Sequence, residues 1–202
     1  MRKHWDRVYT AKAPGTVSWY QPHLARSLEL IARAAPDTSA AIIDVGGGES
    51  TLVDDLLSRG YGDVTVLDIS ETAIKVAKRR LGARAQEVTW LAADIAEATL
   101  AEHRYDVWHD RAVFHFLTEV RQRLAYVRQV KRAMKPQGHV IVATFAPEGP
   151  TQCSGLEVVR YDADALHDEF GPQFRLVEHA TELHHTPSGT AQQFLYCLCK
   201  VE

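Results

Sequence analysis

Three acidic residues each stand at the end of a hydrophobic segment: Asp44, Asp68 and Asp94. Three consecutive glycines begin two residues after Asp44: Gly46, Gly47 and Gly48. In an open parallel sheet, ligands bind beyond the carboxyl ends of the strands. Glycines there let a ligand approach the backbone, and a carboxylate at the next strand end can accept both hydroxyls of a ribose. Together these positions predict a nucleoside site, with Asp94 placed to accept from the exocyclic amine of adenine.

Each of these residues also has a purely structural alternative. The glycines can form a tight turn without a ligand, and Asp68 and Asp94 can cap the helices that follow them. Dinucleotide binding is the rival functional interpretation, but its G-x-G-x-x-G fingerprint requires a glycine where Thr51 stands. Asp44 is badly placed beside a pyrophosphate and suits a positively charged ligand group. The pattern therefore favours a nucleoside ligand that carries a cation.

A second chemical segment, residues 108–116, combines an acid, a base and two histidines. Asp110, His109 and His115 are candidates for receiving a proton from an acceptor substrate. The structural alternative is that Asp110 pairs only with Arg111 and that both histidines lie in the core. These three residues are our predicted catalytic groups.

The surrounding sequence alternates between predicted strands and helices. Hydrophobic runs predict five strands, at residues 40–45, 64–68, 88–92, 105–109 and 139–145. Helices are expected between them, the longest spanning about residues 118–135. Two further runs, 174–178 and 194–199, are joined too closely for a helix and predict an antiparallel hairpin. The expected fold is a single-domain, doubly wound α/β sheet, mostly parallel, with a C-terminal antiparallel hairpin.

The first 38 residues differ from the rest of the chain. They are rich in aromatic side chains: Trp5, Tyr9, Trp19 and Tyr20. A helical period then runs to Pro36. We expect residues 1–38 to form an aromatic helical lid and residues 39–202 to form the ligand-binding core.

Composition excludes several classes of function. The 202 residues are 46% hydrophobic with a formal net charge of −3, which indicates one domain and disfavours nucleic acid as a partner. Three cysteines and no apolar signal segment fit a reduced, cytoplasmic protein without a membrane span, either a monomer or a weak homodimer. Adjacent His184 and His185 point to opposite faces of a strand, so no metal site is expected.

The glycine loop with Asp44, Asp68, Asp94 and Ile95 resembles the class I S-adenosylmethionine-dependent methyltransferases over about residues 40–201. The resemblance implies a Rossmann-like, seven-stranded sheet and S-adenosylmethionine as cofactor, with S-adenosylhomocysteine as product. It places the glycine loop under the methionine part, Asp68 and Ile69 at the ribose, and Asp94 and Ile95 at adenine. One departure is Ser50, which stands where the family has a third glycine.

Segment 108–112 is similar to the W-D-R-G segment of thiopurine methyltransferases and the D-K-G segment of methyltransferase-like lysine methyltransferases, with Ala112 replacing glycine. The N-terminal aromatics resemble elements ahead of the core in the latter group. By this resemblance Trp19, Tyr20 and Arg111 border the cofactor. A methyltransferase acting on a small molecule is favoured, a protein-lysine methyltransferase is the alternative, and a non-catalytic cofactor-binding subunit is a third interpretation.

Overall fold

Seven strands form one mixed sheet with helices on both faces, in a computed structural model that describes residues 1–202. The strands of this sheet are β1 (Ala41–Val45), β2 (Asp63–Asp68), β3 (Val88–Ala92), β4 (Tyr105–Arg111), β5 (Met134–Phe145), β8 (Phe174–His185) and β9 (Ala191–Val201). A separate hairpin consists of β6 (Gln152–Cys153) and β7 (Leu156–Glu157). The helices are α1 (Arg2–Ala11), α2 (Ala25–Ala34), α3 (Leu52–Ser58), α4 (Glu71–Leu81), α5 (Val120–Ala133) and α6 (Ala163–Phe170).

The strand order is β3-β2-β1-β4-β5-β9-β8. The first five strands are parallel, whereas β9 runs antiparallel between β5 and β8. The chain reverses its direction of winding at β1, which pairs with β2 on one side and β4 on the other. Ligands bind at such a switch point. The predicted doubly wound, seven-stranded α/β sheet and its C-terminal antiparallel hairpin are confirmed.

Apolar side chains cover both faces of the sheet. On one face, α2 and α3 contribute buried leucines such as Leu28 and Leu56. On the other face, α5 and α6 contribute Tyr126, Val130 and Phe170. Because both faces are covered, the inner strands are buried along most of their length, as in β1, where all five residues, including Asp44, are buried.

Four elements differ from the sequence-based expectation. The fifth strand begins at Met134 rather than at residue 139, and the hairpin strands extend to 12 and 11 residues. Strand β8 forms the edge of the sheet, so most of its residues alternate between partly buried and exposed. The strand therefore lacks a continuous hydrophobic run that would predict its full length. Helix α6 was not anticipated. None of the helices is long and apolar enough to cross a membrane.

Candidate active site

The glycine loop after β1 packs so tightly that side chains do not fit. A Cβ at Gly46, whose φ is +71°, would lie 2.0 Å from Cγ2 of Val113, and one at Gly47 would lie 2.5 Å from Oδ2 of Asp44. The Gly46 N–H donates to the Leu67 carbonyl at 2.7 Å, which ties the loop to the end of β2. The loop is thus a tightly packed turn in which neighbouring side chains enclose the glycine backbone.

Gly48 lies closest to the second acidic residue. A Cβ there would lie 2.8 Å from Oδ2 of Asp68 and 3.1 Å from the Tyr9 hydroxyl, and φ is +41°. We expect Gly48→Ala to lower the free energy of unfolding by about 1–2 kcal/mol, because an L side chain is strained at positive φ and the carboxylate must move. Urea unfolding checks this value. Gly62→Ala is the matched control, since its Cβ would meet nothing within 4 Å; equal losses in both variants would contradict the prediction.

Asp68 is the last residue of β2 and is buried, with a relative exposure of 5%. Its Oδ1 accepts the Ser70 N–H at 2.7 Å. Burial, opposed by this hydrogen bond and reinforced by nearby Asp44, raises the pKa of Asp68 to about 7. A buried carboxylate with remaining acceptor capacity suits a ligand that brings hydroxyl donors.

Asp94 and Ile95 follow β3 at the same edge of the sheet. Oδ1 of Asp94 accepts the Ala96 N–H at 3.0 Å, which closes a local turn. No helix lies between β3 and β4, so the alternative that Asp94 caps a following helix is wrong. Ile95 is buried, whereas Asp94 is partly exposed. Both line the same cavity as Asp68 and Ile69.

This cavity has a volume of about 480 Å³ and opens at the carboxyl ends of the parallel strands. Seven of the predicted site residues line it: Trp19, Gly46, Asp68, Ile69, Asp94, Ile95 and Arg111. Hydrophobic residues make up 16 of the 23 that line it. The structure therefore brings the predicted nucleoside-binding residues into one largely apolar cavity.

Aromatic side chains of the N-terminal segment cover the cavity. Trp5 packs edge-on against Trp19 and Phe116, with ring centroids 5.8 and 5.0 Å away. Helix α1 is fixed to the core by Asp6, whose Oδ1 accepts the Ser70 hydroxyl at 2.6 Å. The turn that positions Asp68 therefore also holds the aromatic cover.

A smaller pocket of about 30 Å³ shares Tyr9, Trp19, Gly46 and Arg111 with the main cavity. It contains the remaining residues predicted on the methionine side and the first predicted catalytic histidine: Asp44, Gly47, Tyr20 and His109. Gly48 lines neither space but contacts Asp68, as described above.

Arg111 connects the end of β4 to the N-terminal segment. Its Nε donates to the Tyr196 hydroxyl at 2.9 Å, and one terminal nitrogen donates to the Trp19 carbonyl at 3.0 Å. The guanidinium also lies 4.3 Å from the ring centroid of Phe194. Arg111 does not pair with Asp110, which was the structural alternative considered from the sequence.

The three predicted catalytic side chains lie in the interior and do not line the main cavity. His109 bridges Oδ1 of Asp44, at 2.8 Å, and the Ser27 hydroxyl, at 2.9 Å. The Nδ1 of His115 accepts the Phe145 N–H at 3.3 Å, and burial lowers the pKa of His115 to about 3. Both imidazoles thus occupy positions that connect structural elements.

Asp110 fixes the segment that follows β4. Its carboxylate accepts the N–H groups of Val113 and Phe114 at 2.9 and 3.1 Å and the Tyr126 hydroxyl at 2.6 Å. Burial raises the pKa of Asp110 to about 6, although these donors oppose the rise. They hold the chain where Ala112 adopts a φ of +72° and Val113 presses on the glycine loop.

Sequence reasoning missed three residues that the structure places at or behind the site. Glu49 is 7% exposed and lines the small pocket. Phe116 lines the main cavity, and Tyr126 supports Asp110 from α5. Only Glu49 had a sequence signal, an acid directly after the glycines.

A family model described as a methyltransferase domain matches residues 42–138. The mouse protein (Mus musculus) named eEF1A lysine and N-terminal methyltransferase is 25% identical over 138 residues, covering 68% of this chain and 19% of that protein. A malonyl-[acyl-carrier protein] O-methyltransferase of Anoxybacillus flavithermus is 35% identical over 106 residues, covering 52% of this chain and 38% of that protein. The chain thus matches less than half the length of either relative.

Solved structures agree over nearly the whole chain. One, from work on the conversion of a disulfide bond into a thioacetal group during echinomycin biosynthesis, has a TM-score of 0.81 at 22% identity, covering 100% of this chain and 93% of that chain. The N-methyltransferase NodS from Bradyrhizobium japonicum WM9, in complex with S-adenosylhomocysteine, has a TM-score of 0.72 at 15% identity and 97% coverage of both chains. At sequence identities of 22% and 15%, this structural similarity establishes the fold alone.

The fold and the matched domain are similar to those of class I methyltransferases. The family match thus covers residues 42–138, just under half of the chain, and the solved neighbours include a methyltransferase with bound S-adenosylhomocysteine.

Proposed function

We propose that the protein transfers a methyl group from S-adenosylmethionine to a nucleophilic atom of a small, apolar molecule. The observation that carries this proposal is the composition of the cavity lining apart from the predicted cofactor residues. That part of the lining is mainly apolar and includes Trp5, Val113, Phe116, Leu117 and Cys153. Such a wall favours an acceptor that buries hydrocarbon or ring surface over a charged one.

The residues present fit the cofactor. The three glycines bring the loop backbone close to Val113, Asp44 and Asp68, where a side chain would collide, and Gly46 lines the main cavity. Asp68 would accept the ribose hydroxyls, Asp94 would accept from the adenine amine, and Ile69 and Ile95 would pack on the adenosine. Tyr20 and Trp19 would border the methionine end as part of the cover formed by residues 1–38.

The cofactor supplies an electrophilic methyl group on a sulfonium sulfur. The protein's own contribution would be to align the acceptor with that methyl group and to exclude water, since in-line displacement needs no covalent help. Trp5, Trp19 and Phe116, which line the cavity, would exclude water from it. His109 and Asp110 would act through position, by fixing Asp44 and the 112–114 segment.

A protein lysine is the second candidate acceptor, because the mouse relative bears the name of a lysine methyltransferase. A lysine acceptor would be favoured by an open acidic groove around residues 109–111. Instead, His109, Asp110 and Arg111 are all buried. The apolar wall therefore supports the small molecule more strongly.

Transfer of radiolabel distinguishes the two acceptors. The protein is incubated with S-adenosylmethionine tritiated in the methyl group and a fractionated lysate, and label is counted separately in the small-molecule and protein pools. We expect label in the small-molecule pool, extractable into organic solvent. Label confined to protein, released as methyl-lysine after hydrolysis, would overturn the small-molecule assignment. Absence of label from both pools, with S-adenosylmethionine still bound, would point to a non-catalytic subunit.

A further inference from the structure

Residues 17–21 form a strap between α1 and the start of α2, and this strap supplies part of the lining of both pockets. Trp19 lines the main cavity and the small pocket, and Tyr20 and Gln21 line the small pocket. The position of the strap therefore sets the shape of the site. Its anchors lie far away in the sequence, on the strands of the C-terminal hairpin and on β4.

His184, on the edge strand β8, is the main anchor of the strap. Its imidazole is buried, with a relative exposure of 1%, and its Nε2 lies 2.6 Å from the Ser18 carbonyl oxygen. Because a carbonyl oxygen only accepts hydrogen bonds, this nitrogen carries a proton. In a neutral ring the other nitrogen, Nδ1, is then an acceptor, and it lies 3.1 Å from Nε2 of Gln21.

Gln21 joins this histidine to a carboxylate. The same amide nitrogen donates to Oε1 of Glu182 at 2.9 Å, so its two protons serve Glu182 and Nδ1 of His184. A proton added to Nδ1 would face the amide N–H of Gln21. Turning the amide would bring its oxygen against the Glu182 carboxylate instead. Either arrangement loses a hydrogen bond, so the network is complete only when His184 is neutral.

The charged groups around His184 come from two strands. Glu182 and His185 are its neighbours on β8, and Arg111 reaches it from β4, with one terminal nitrogen 3.9 Å from Oε1 of Glu182. From β9, the uncharged ring of Phe194 packs edge-on at a centroid distance of 5.9 Å. Burial, reinforced by Arg111 and His185, lowers the pKa of His184, although Glu182 opposes this effect.

We propose that His184 is a positioning residue for the site: its neutral imidazole holds the strap, and with it Trp19 and Tyr20, in place, and its protonation releases the strap. The released imidazole takes up a proton more readily than the buried one. The free energy that favours the closed strap is therefore complete above about pH 6.5 and declines as the pH falls below that value. Closure concerns the ligand-free protein, whereas its consequence for methyl transfer rests on the proposed function.

Hydrogen–deuterium exchange of the strap in the ligand-free protein tests the proposal. Exchange is compared at about pH 7.5 and about pH 5.5 after correction for the intrinsic pH dependence of amide exchange. In the unaltered protein, protection of residues 17–21 is expected to fall about ten-fold at the lower pH. His184→Gln keeps an N–H for the Ser18 carbonyl but takes up no proton, so its protection is expected to change by less than about two-fold. His184→Ala is expected to lose protection at both pH values.

His185→Gln is the matched control, because His185 is the adjacent residue of β8 but is exposed. Its strap is expected to behave as in the unaltered protein. An equal pH dependence in His184→Gln and the unaltered protein would assign the effect to another group, such as Asp68, and overturn the proposal. Unchanged strap protection in His184→Ala would overturn it as well.

Steady-state kinetics of methyl transfer test the consequence for the site. At about pH 7.5, His184→Ala is expected to raise the KM for the acceptor about ten-fold and His184→Gln less than about two-fold, since only the alanine variant frees Trp19. Altered exchange with an unchanged KM would overturn the positioning role. If exchange follows the expected pattern but no acceptor is labelled, the proposed function fails and the control of the strap by His184 stands.

Discussion

Asp68→Asn is expected to weaken the binding of S-adenosylmethionine by about a hundred-fold, because a carboxylate that accepts two hydroxyl protons becomes an amide that can accept with only one oxygen. The loss would extend to 5′-methylthioadenosine, which carries the same ribose. Isothermal titration calorimetry measures both affinities.

The same substitution is expected to stabilise the ligand-free protein at high pH. Burial raises the pKa of Asp68 from 3.8 to about 7. Between about pH 4 and pH 7 the unfolded chain has released this proton while the folded chain still holds it, so the stability of the unaltered protein falls as the pH rises through that window. Above it, ionised Asp68 is held in the folded state at a cost on the order of a few kcal/mol.

Thermal unfolding at about pH 4.5 and about pH 8 checks this prediction, because most of the titration window of Asp68 lies between these two values. Asp68→Asn is expected to raise the melting temperature more at pH 8 than at the lower pH. Asp63→Asn is the matched control, because Asp63 lies on the same strand but is 38% exposed and pairs with Arg104. A pH-independent difference between Asp68→Asn and the unaltered protein would show that Asp68 is not a buried, destabilising carboxylate.

The fold was predictable because the parallel strands carry their signal locally. A strand buried on both faces is a continuous hydrophobic run, and such runs at β1, β2 and β4 each end in chemically active residues. Strand ends of a parallel sheet meet at one edge, so the sequence alone could place Asp68 and Asp94 together. Their convergence on one cavity follows from the winding of the sheet.

The roles in the 108–116 segment were not predictable in the same way. Composition alone predicts that an acid and two histidines in one loop face a substrate. Their partners, however, come from distant parts of the chain: Ser27 for His109, Tyr126 for Asp110 and Phe145 for His115. Such pairings depend on how α2, α5 and β5 pack, which no local pattern encodes. For the same reason, only the three-dimensional structure shows that Oε1 of Glu49 is buried without a hydrogen-bond partner.

Asp110→Ala is expected to lower the free energy of unfolding by about 3–5 kcal/mol, because it leaves the N–H groups of Val113 and Phe114 and the Tyr126 hydroxyl without their buried acceptor. Tyr126 also accepts the indole N–H of Trp108 at 2.8 Å, so the disturbance would reach β4 and α5 together. Urea unfolding followed by tryptophan fluorescence measures the loss.

Asp110→Asn separates a structural role from a chemical one. The amide retains one oxygen for the Val113 and Phe114 N–H groups, so the expected loss is about 1–2 kcal/mol. If Asp110 acts by positioning, the variant keeps measurable methyl transfer, and its turnover declines in parallel with the stability of the 112–114 segment, observed as faster amide hydrogen exchange. If Asp110 were the proton acceptor, turnover would fall by more than about a hundred-fold while stability, exchange and cofactor affinity stayed unchanged. That second outcome would return Asp110 to the catalytic role that its sequence context first indicated.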